Sequence, residues 1–222
     1  MLKVENLTKT YGKGDSRVDA LRGISFTVND GEMVAVMGRS GAGKSTLLNI
    51  LGCMDTPTGG SYTLDGIEVN KLSAKERNRF RRDHVGFVFQ NFALMGQYSL
   101  LENVELPLVA KDVRKAERRR IAMDALKSVG LTGKADRNPA RVSGGQQQRA
   151  AIARAIAGGN NLILADEPTG ALDDSTGAEV MELFRDLQKS GKTIVIVTHE
   201  KEIADKCDRI LYISDGKVSE TL

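Results

Sequence analysis

Gly38-Arg39-Ser40-Gly41-Ala42-Gly43-Lys44-Ser45 decides the fold. These residues fit the pattern GxxxxGK[ST], and their surroundings matter as much as the match. The apolar run MVAVM (33–37) precedes them and reads as a strand; TLLNIL (46–51) follows with helical composition. Strand, loop and helix form the setting in which such a loop cradles phosphate. Glycines let successive backbone N–H groups turn toward phosphate oxygens. The following helix offers its N-terminal N–H groups and the positive end of its dipole. Lys44 can reach the β- and γ-phosphates, Ser45 can ligate Mg²⁺, and Thr46 adds a hydroxyl. The expectation is a Mg·ATP site whose loop comprises Gly38, Arg39, Ser40, Gly41, Ala42, Gly43, Lys44, Ser45 and Thr46.

Further short apolar runs recur at Val85 to Phe89, Leu162 to Ala165 and Thr193 to Val197. Each is too short for an independent helix, and β-branched or aromatic content suits buried strands. Helical composition marks Lys44 to Cys53, Lys115 to Val129, Gln146 to Ala157 and Ser175 to Lys189. Alternation of this kind predicts an α/β fold, a P-loop NTPase core with a mostly parallel sheet. Leu2 to Leu7 and Gly23 to Val28 read as strands joined by a Gly-rich turn, and Ser61 to Leu64 before Asp65-Gly66 adds a hairpin signal. An antiparallel β subdomain is therefore expected beside the core. Residues 91–157 have few strand signals and read as a helical subdomain, all within a single domain spanning 1–222.

The second chemical element is NLILADE (161–167), an apolar strand ending in acids. Asp166 at the strand's end suits a Mg²⁺ partner. Glu167 beside it can orient or deprotonate an attacking water. GTPases, kinases and motor ATPases share the phosphate loop, so it does not settle the function.

Val142-Ser143-Gly144-Gly145-Gln146-Gln147-Gln148-Arg149 separates these classes. Ser-Gly-Gly before a helical run makes a second capped helix N-terminus, a second ready anion site. Here the sequence resembles the ABC ATPase family, whose signature LSGGQ it matches with Val142 in place of the leading Leu. The resemblance covers nearly the whole chain. It implies that Ser143, Gly144, Gly145 and Gln146 close on ATP held by a second copy in a head-to-tail dimer. It further implies that Gln90, after VGFVF, contacts Mg²⁺ or the water, and that His199, after TIVIV, is the switch histidine at the γ-phosphate. Asp173, in Ala171-Leu172-Asp173, matches the family's D-loop, and Tyr11 sits where an aromatic stacks on adenine. Lys44, Gln90, Glu167 and His199 are the catalytic candidates; Ser45, Gln90 and Asp166 are the metal candidates.

RVDALRG (17–23), NILGCMDTPT (49–58), VGFVFQN (85–91), ENVELP (102–107) and DEPTGALD (166–173) resemble one branch of the family. That branch includes ATPases of macrolide-type drug export, lipoprotein release, antimicrobial-peptide resistance, haem export and a cell-division complex. The resemblance implies an integral-membrane permease partner, a place on the cytoplasmic face of the cell membrane, and docking of the permease at Asn91 to Leu101. A soluble ABC-type ATPase outside transport is the competing reading. No NKxD motif supports a GTPase, and intact Glu167 and His199 oppose a non-hydrolysing regulator.

Composition agrees with these expectations. Of 222 residues, 41% are hydrophobic and 27% charged, ordinary for a globular chain with a sizeable core. A net charge of +3 gives little support to a nucleic-acid partner, which calls for a strong basic stripe. The two cysteines form neither a disulfide framework nor a metal cluster. No stretch approaches the roughly 20 apolar residues of a spanning helix, so membrane work would need a partner's helices. The basic runs Lys75 to Arg82 and Arg114 to Arg120 read as solvated helix faces, or as surfaces for anionic lipid.

Overall fold

The computed structural model describes residues 1–220. In chain order the strands are β1 (Leu2–Tyr11), β2 (Val18–Val28), β3 (Met33–Met37), β4 (Gly59–Leu64), β5 (Ile67–Glu68), β6 (Val85–Val88), β7 (Leu162–Asp166), β8 (Thr193–Thr198), β9 (Arg209–Ser214) and β10 (Lys217–Ser219). The helices are α1 (Lys44–Leu51), α2 (Ala74–His84), α3 (Leu100–Ala110), α4 (Lys115–Ser128), α5 (Gly144–Ala157), α6 (Asp174–Lys189) and α7 (Lys201–Ala204). Two sheets result. One is antiparallel, in the order β2-β1-β4-β5; the other runs β10-β9-β3-β8-β7-β6. In the second sheet β9, β3, β8, β7 and β6 pair in parallel, and β10 closes the edge as an antiparallel hairpin on β9.

The continuous apolar runs follow from burial on both faces of the parallel sheet. Alternate residues of each strand enter different cores. Val34, Val36, Leu164, Val195 and Val197 pack toward α1 and the antiparallel sheet. Met33, Ile163, Ala165, Ile194 and Ile196 pack toward the helices on the opposite face, with Leu101, Ile152 and Phe184. Between β6 and β7 the described chain contains no strand and carries α3, α4 and α5.

Several elements differ from the sequence reading. β1 and β2 extend to Tyr11 and back to Val18, beyond the apolar stretches, because register shifts after Val4, Leu7 and Lys9 let polar residues stay paired. β6 stops at Val88, one residue before Phe89. α1 ends at Leu51, short of Cys53, whose φ of 58° is left-handed. α5 begins at Gly144, because Ser143 rather than a later residue caps it. Composition alone does not mark the β9–β10 hairpin around Asp215-Gly216 or the helix α3. For α3 the cue was present: Ser99 and Glu102 form a capping box, with Ser99 Oγ accepting from the Glu102 N–H and the Glu102 carboxylate accepting from the Ser99 N–H.

Phe184 is fully buried in the core between α6 and the sheet. Phe184→Ala should cost about 3–5 kcal/mol of unfolding free energy. Chemical denaturation measures this; a loss under about 1 kcal/mol would mean that the site collapses around the smaller side chain.

Candidate functional site

The carboxyl ends of the parallel strands set the site. Register pairs Met37 with Thr198 and Asp166 with Val197, so β3, β7 and β8 finish at one level. Ligands of open α/β sheets bind beyond such an edge. Here the edge opens into a cleft of about 920 Å³.

The phosphate loop leaves β3 under two tight constraints. A Cβ on Gly38 would stand 2.3 Å from the Ile213 carbonyl oxygen, so only glycine lets the loop pass β9. Gly43, at φ 106°, is left-handed and lies against β2, where a Cβ would meet the Ala20 oxygen at 2.6 Å. This glycine is the N-cap of α1, which has no side-chain cap and no acid in its first turn. By contrast α2, α3, α5 and α6 are each capped by a Ser or Asp of their own. Like α4, whose cap Arg114 makes no side-chain bond, α1 thus leaves its first N–H groups open to a partner from outside the chain. Lys44 lies close by, its Nζ donating to the carbonyls of Gly38 at 2.7 Å and Arg39 at 3.0 Å. Ala42 does not line the cleft: its methyl group packs on the core, and its N–H donates to the Arg39 carbonyl at 3.2 Å.

Asp166 and Glu167 stand across the cleft from the loop. Burial raises the Asp166 pKa above the usual carboxylate value, Glu167 raises it further, and Lys44 works against both. Such a carboxylate gains from a cation. Ser45, Asp166 and Gln90 together supply hard oxygen donors but only one carboxylate. Among the described residues no group of three His, Cys, Asp or Glu could hold a metal alone. This set suits Mg²⁺, which keeps waters and phosphate oxygens and takes one or two carboxylates from the protein.

Glu167 has a φ of 46°, a left-handed value that is costly for a non-glycine and is often found at functional sites. Its N–H donates to the Val197 carbonyl at 2.9 Å, which ties the turn to β8. Its Oε1 lies 2.8 Å from His199 Nδ1, and its Oε2 is buried without a protein partner. The hydrogen bond to Glu167, and then its negative charge, hold the His199 pKa above the ordinary histidine value. Gln90 lines the same cleft, its amide close against Gly170 in the turn after Glu167.

The remaining expected residues divide into two groups. Tyr11 lies at the cleft's rim, 40% exposed, beside Thr46. Ser143, Gly144, Gly145, Gln146 and Asp173 do not line the cleft. Ser143 and Gln146 form a capping box on α5, which leaves the Gly144 and Gly145 N–H groups unused by the cap. Asp173 caps α6. Its carboxylate accepts from the Ser175 hydroxyl at 2.6 Å and from the Thr176 N–H and hydroxyl at 2.9 and 2.8 Å, which holds its pKa far below the usual range.

Sequence reading missed the cleft's other wall. Asp19, Ala20 and Arg22 of β2 and the turn Asp215-Gly216 line it. The Arg22 N–H donates to the Gly216 carbonyl at 2.7 Å and joins the two sheets above the loop. The Asp-Gly dipeptide was the available cue. After Gln90 the chain is pinned: the Arg154 guanidinium donates to the carbonyls of Phe92 and Ala93, both left-handed. Met95 and Tyr98 beyond them are exposed. The basic run on α4 is partly paired, Arg118 with Glu105 at 3.3 Å and Arg120 with Asp124 at 3.2 Å. No helix of the described residues is long and apolar enough to cross a membrane.

A family model for ABC transporters matches residues 21–170. The macrolide export ATP-binding/permease protein MacB of Acinetobacter baylyi is 48% identical over 218 residues, 98% of this chain and 33% of that protein. The chain thus spans about a third of the length of its MacB relatives. The ABC transporter ATP-binding protein MJ0796 of Methanocaldococcus jannaschii is 48% identical over 98% of this chain and 95% of its own length. A dimeric structure of the MJ0796 cassette in a post-hydrolysis state, bound to ADP and Pi, superposes with a TM-score of 0.90 at 46% identity, covering 99% of this chain and 97% of that one.

The Glu167–His199 contact has a pH signature. A histidine whose folded pKa is raised adds its full stabilisation below the unfolded value of about 6.5, and loses it as pH rises through the folded value. His199 and His84 are the only histidines, so imidazole NMR resolves each. His199 should titrate above about 6.5 and fall back toward that value in Glu167→Gln. An unchanged titration in that variant would remove the contact.

Proposed function

Because the chain belongs to the ABC transporter family, we propose that it binds Mg·ATP in the cleft at Gly38 to Thr46 and hydrolyses it to drive a membrane permease. One observation carries the reading. Phosphate loop, Asp166, Glu167, His199 and Gln90 meet in one cleft, while Ser143 and Gly145 head a helix outside it. The site is therefore half built within one copy. A second copy placed head to tail would bring its Ser143 hydroxyl and its Gly144 and Gly145 N–H groups to the γ-phosphate. The dimeric MJ0796 cassette supports the pairing of two copies. The helical span 91–157 is the subdomain that presents these groups.

The loop's N–H groups and Lys44 take the β- and γ-phosphates, with the Lys44 ammonium exchanging its two carbonyls for phosphate oxygens. Ser45, Asp166 and Gln90 would hold Mg²⁺, which would neutralise the negative charge that develops on the phosphates. His199 engages Glu167 Oε1 and so leaves Oε2 for the attacking water. Glu167 accepts a proton from that water as its oxygen closes on the γ-phosphorus and ADP leaves. Positioning and charge stabilisation supply most of the rate. Asp173 holds the start of α6, against which the signature helix rests: a Cβ on Gly145 would meet Thr176 Cγ2 at 2.2 Å.

The permease would dock on Asn91 to Leu101, where Arg154 fixes the backbone and Met95 and Tyr98 stand exposed. Docking there would put the chain on the cytoplasmic face of the membrane. MacB's name supports export, and the work is export or transmembrane force transmission of the drug, peptide, haem or lipoprotein type.

Glu167→Gln should bind ATP with near-native affinity and lose about 10²-fold or more in turnover, the range of a positioned base. It should also gather as an ATP-dependent dimer, seen by sedimentation. Native turnover in this variant would remove Glu167 as the base.

A further inference from the structure

A cluster behind Tyr11 plays no part in the chemistry above. Lys9 and Tyr11 project from β1, and Asp55 follows α1. Lys9 is 9% exposed, unusually buried for a lysine. Its ammonium donates to Asp55 Oδ1 and to the Thr56 carbonyl, both at 2.7 Å. The Tyr11 hydroxyl donates to the other carboxylate oxygen, Oδ2, also at 2.7 Å. The Thr56 N–H completes the set on Oδ1 at 2.7 Å. The Lys9 ammonium also lies 4.7 Å from the Tyr11 ring centroid. Asp55 thus holds the ring by its hydroxyl, and Lys9 holds it by one face.

We infer that Lys9 and Asp55 are positioning residues for the nucleotide base: they lock the Tyr11 ring at the rim so that its free face receives adenine. The inference rests on the reading of Tyr11 as the base platform. Three features support it. An exposed tyrosine on a strand end ordinarily samples several rotamers, and ordering it costs free energy on binding. Here the hydroxyl anchor bears that cost before ATP arrives. The cation sits on a ring face, so the base must take the opposite one. Asp55 also lies at the far end of α1, whose start carries the phosphate loop, with its N–H donating to the Asn49 carbonyl at 3.1 Å. One short helix therefore fixes the distance between base platform and phosphate site.

Burial would raise the Asp55 pKa, but hydrogen bonds from Lys9, Tyr11 and Thr56 override it and hold it below the usual value. The carboxylate remains an acceptor for the Tyr11 hydroxyl throughout the neutral range.

The test compares ATP with tripolyphosphate, which has the phosphates and lacks the base, by calorimetric titration of the full chain. Tyr11→Ala should weaken ATP about 10-fold, within the range of one base–aromatic stack, and leave tripolyphosphate unchanged. Asp55→Ala should weaken ATP about 3- to 10-fold with tripolyphosphate again unchanged, and add nothing in the Tyr11→Ala background. Equal loss for both ligands, or a full further loss on top of Tyr11→Ala, would overturn the positioning role. If Tyr11→Ala leaves ATP affinity unchanged, the base-platform reading itself falls, and the inference with it. Should Asp55→Ala fail to fold, Tyr11→Phe removes only the anchoring hydroxyl and should still weaken ATP selectively; unchanged ATP affinity there overturns the inference.

Discussion

The start of α1 is the constraint on which the rest depends. A helix leaves its first N–H groups without internal partners. Elsewhere in this chain, at Ser73, Ser99, Ser143 and Asp173, a side chain meets part of that need. At α1 the cap is Gly43, which has no side chain to offer. The surrounding sequence preserves that opening. Gly38 lets the loop pass β9, Gly43 fits against β2, and Lys44 holds a positive charge on the loop's own carbonyls. An anion with several oxygens resolves all of these at once.

The side of the cleft facing the loop is organised by a strained turn. Glu167 adopts a left-handed backbone immediately after Asp166, so two adjacent acids face different tasks. Asp166 is half-buried and raised in pKa, and on the proposed reading it would partner the cation. Glu167 shares one oxygen with His199 and keeps the other free. What the cleft lacks is a set of donors on the far side of the terminal phosphate. The head of α5, where the proposed reading finds such donors, lies outside the cleft. On the proposed reading self-association is part of the chemistry: the residues that would complete the site belong to the same sequence in another copy.

Much of this was legible in the sequence because the signals are local. MVAVM, LILAD and TIVIV read as buried strands since both faces of the sheet are covered, and GxxxxGKS carries its own backbone logic. The reading is incomplete where meaning depends on distant partners. Ala42 sits inside the phosphate-loop pattern, and its side chain also packs on the core. Asp215-Gly216 looks like an ordinary turn, and only the fold brings it over the loop beside Ala20. Lys9 and Asp55 are 46 residues apart, and no spacing rule links them. Resemblance assigns Asp173 to the nucleotide, and the structure adds a capping role that its neighbours Ser175 and Thr176 suggest.

The half-site is the central claim, and the dependence of ATP turnover on chain concentration tests it most directly. If each site needs Ser143 and Gly145 from another copy, turnover per chain should rise with concentration and level off as ATP-bound dimers saturate. Constant turnover per chain, over a range where the ATP-bound protein sediments as a monomer, would contradict it.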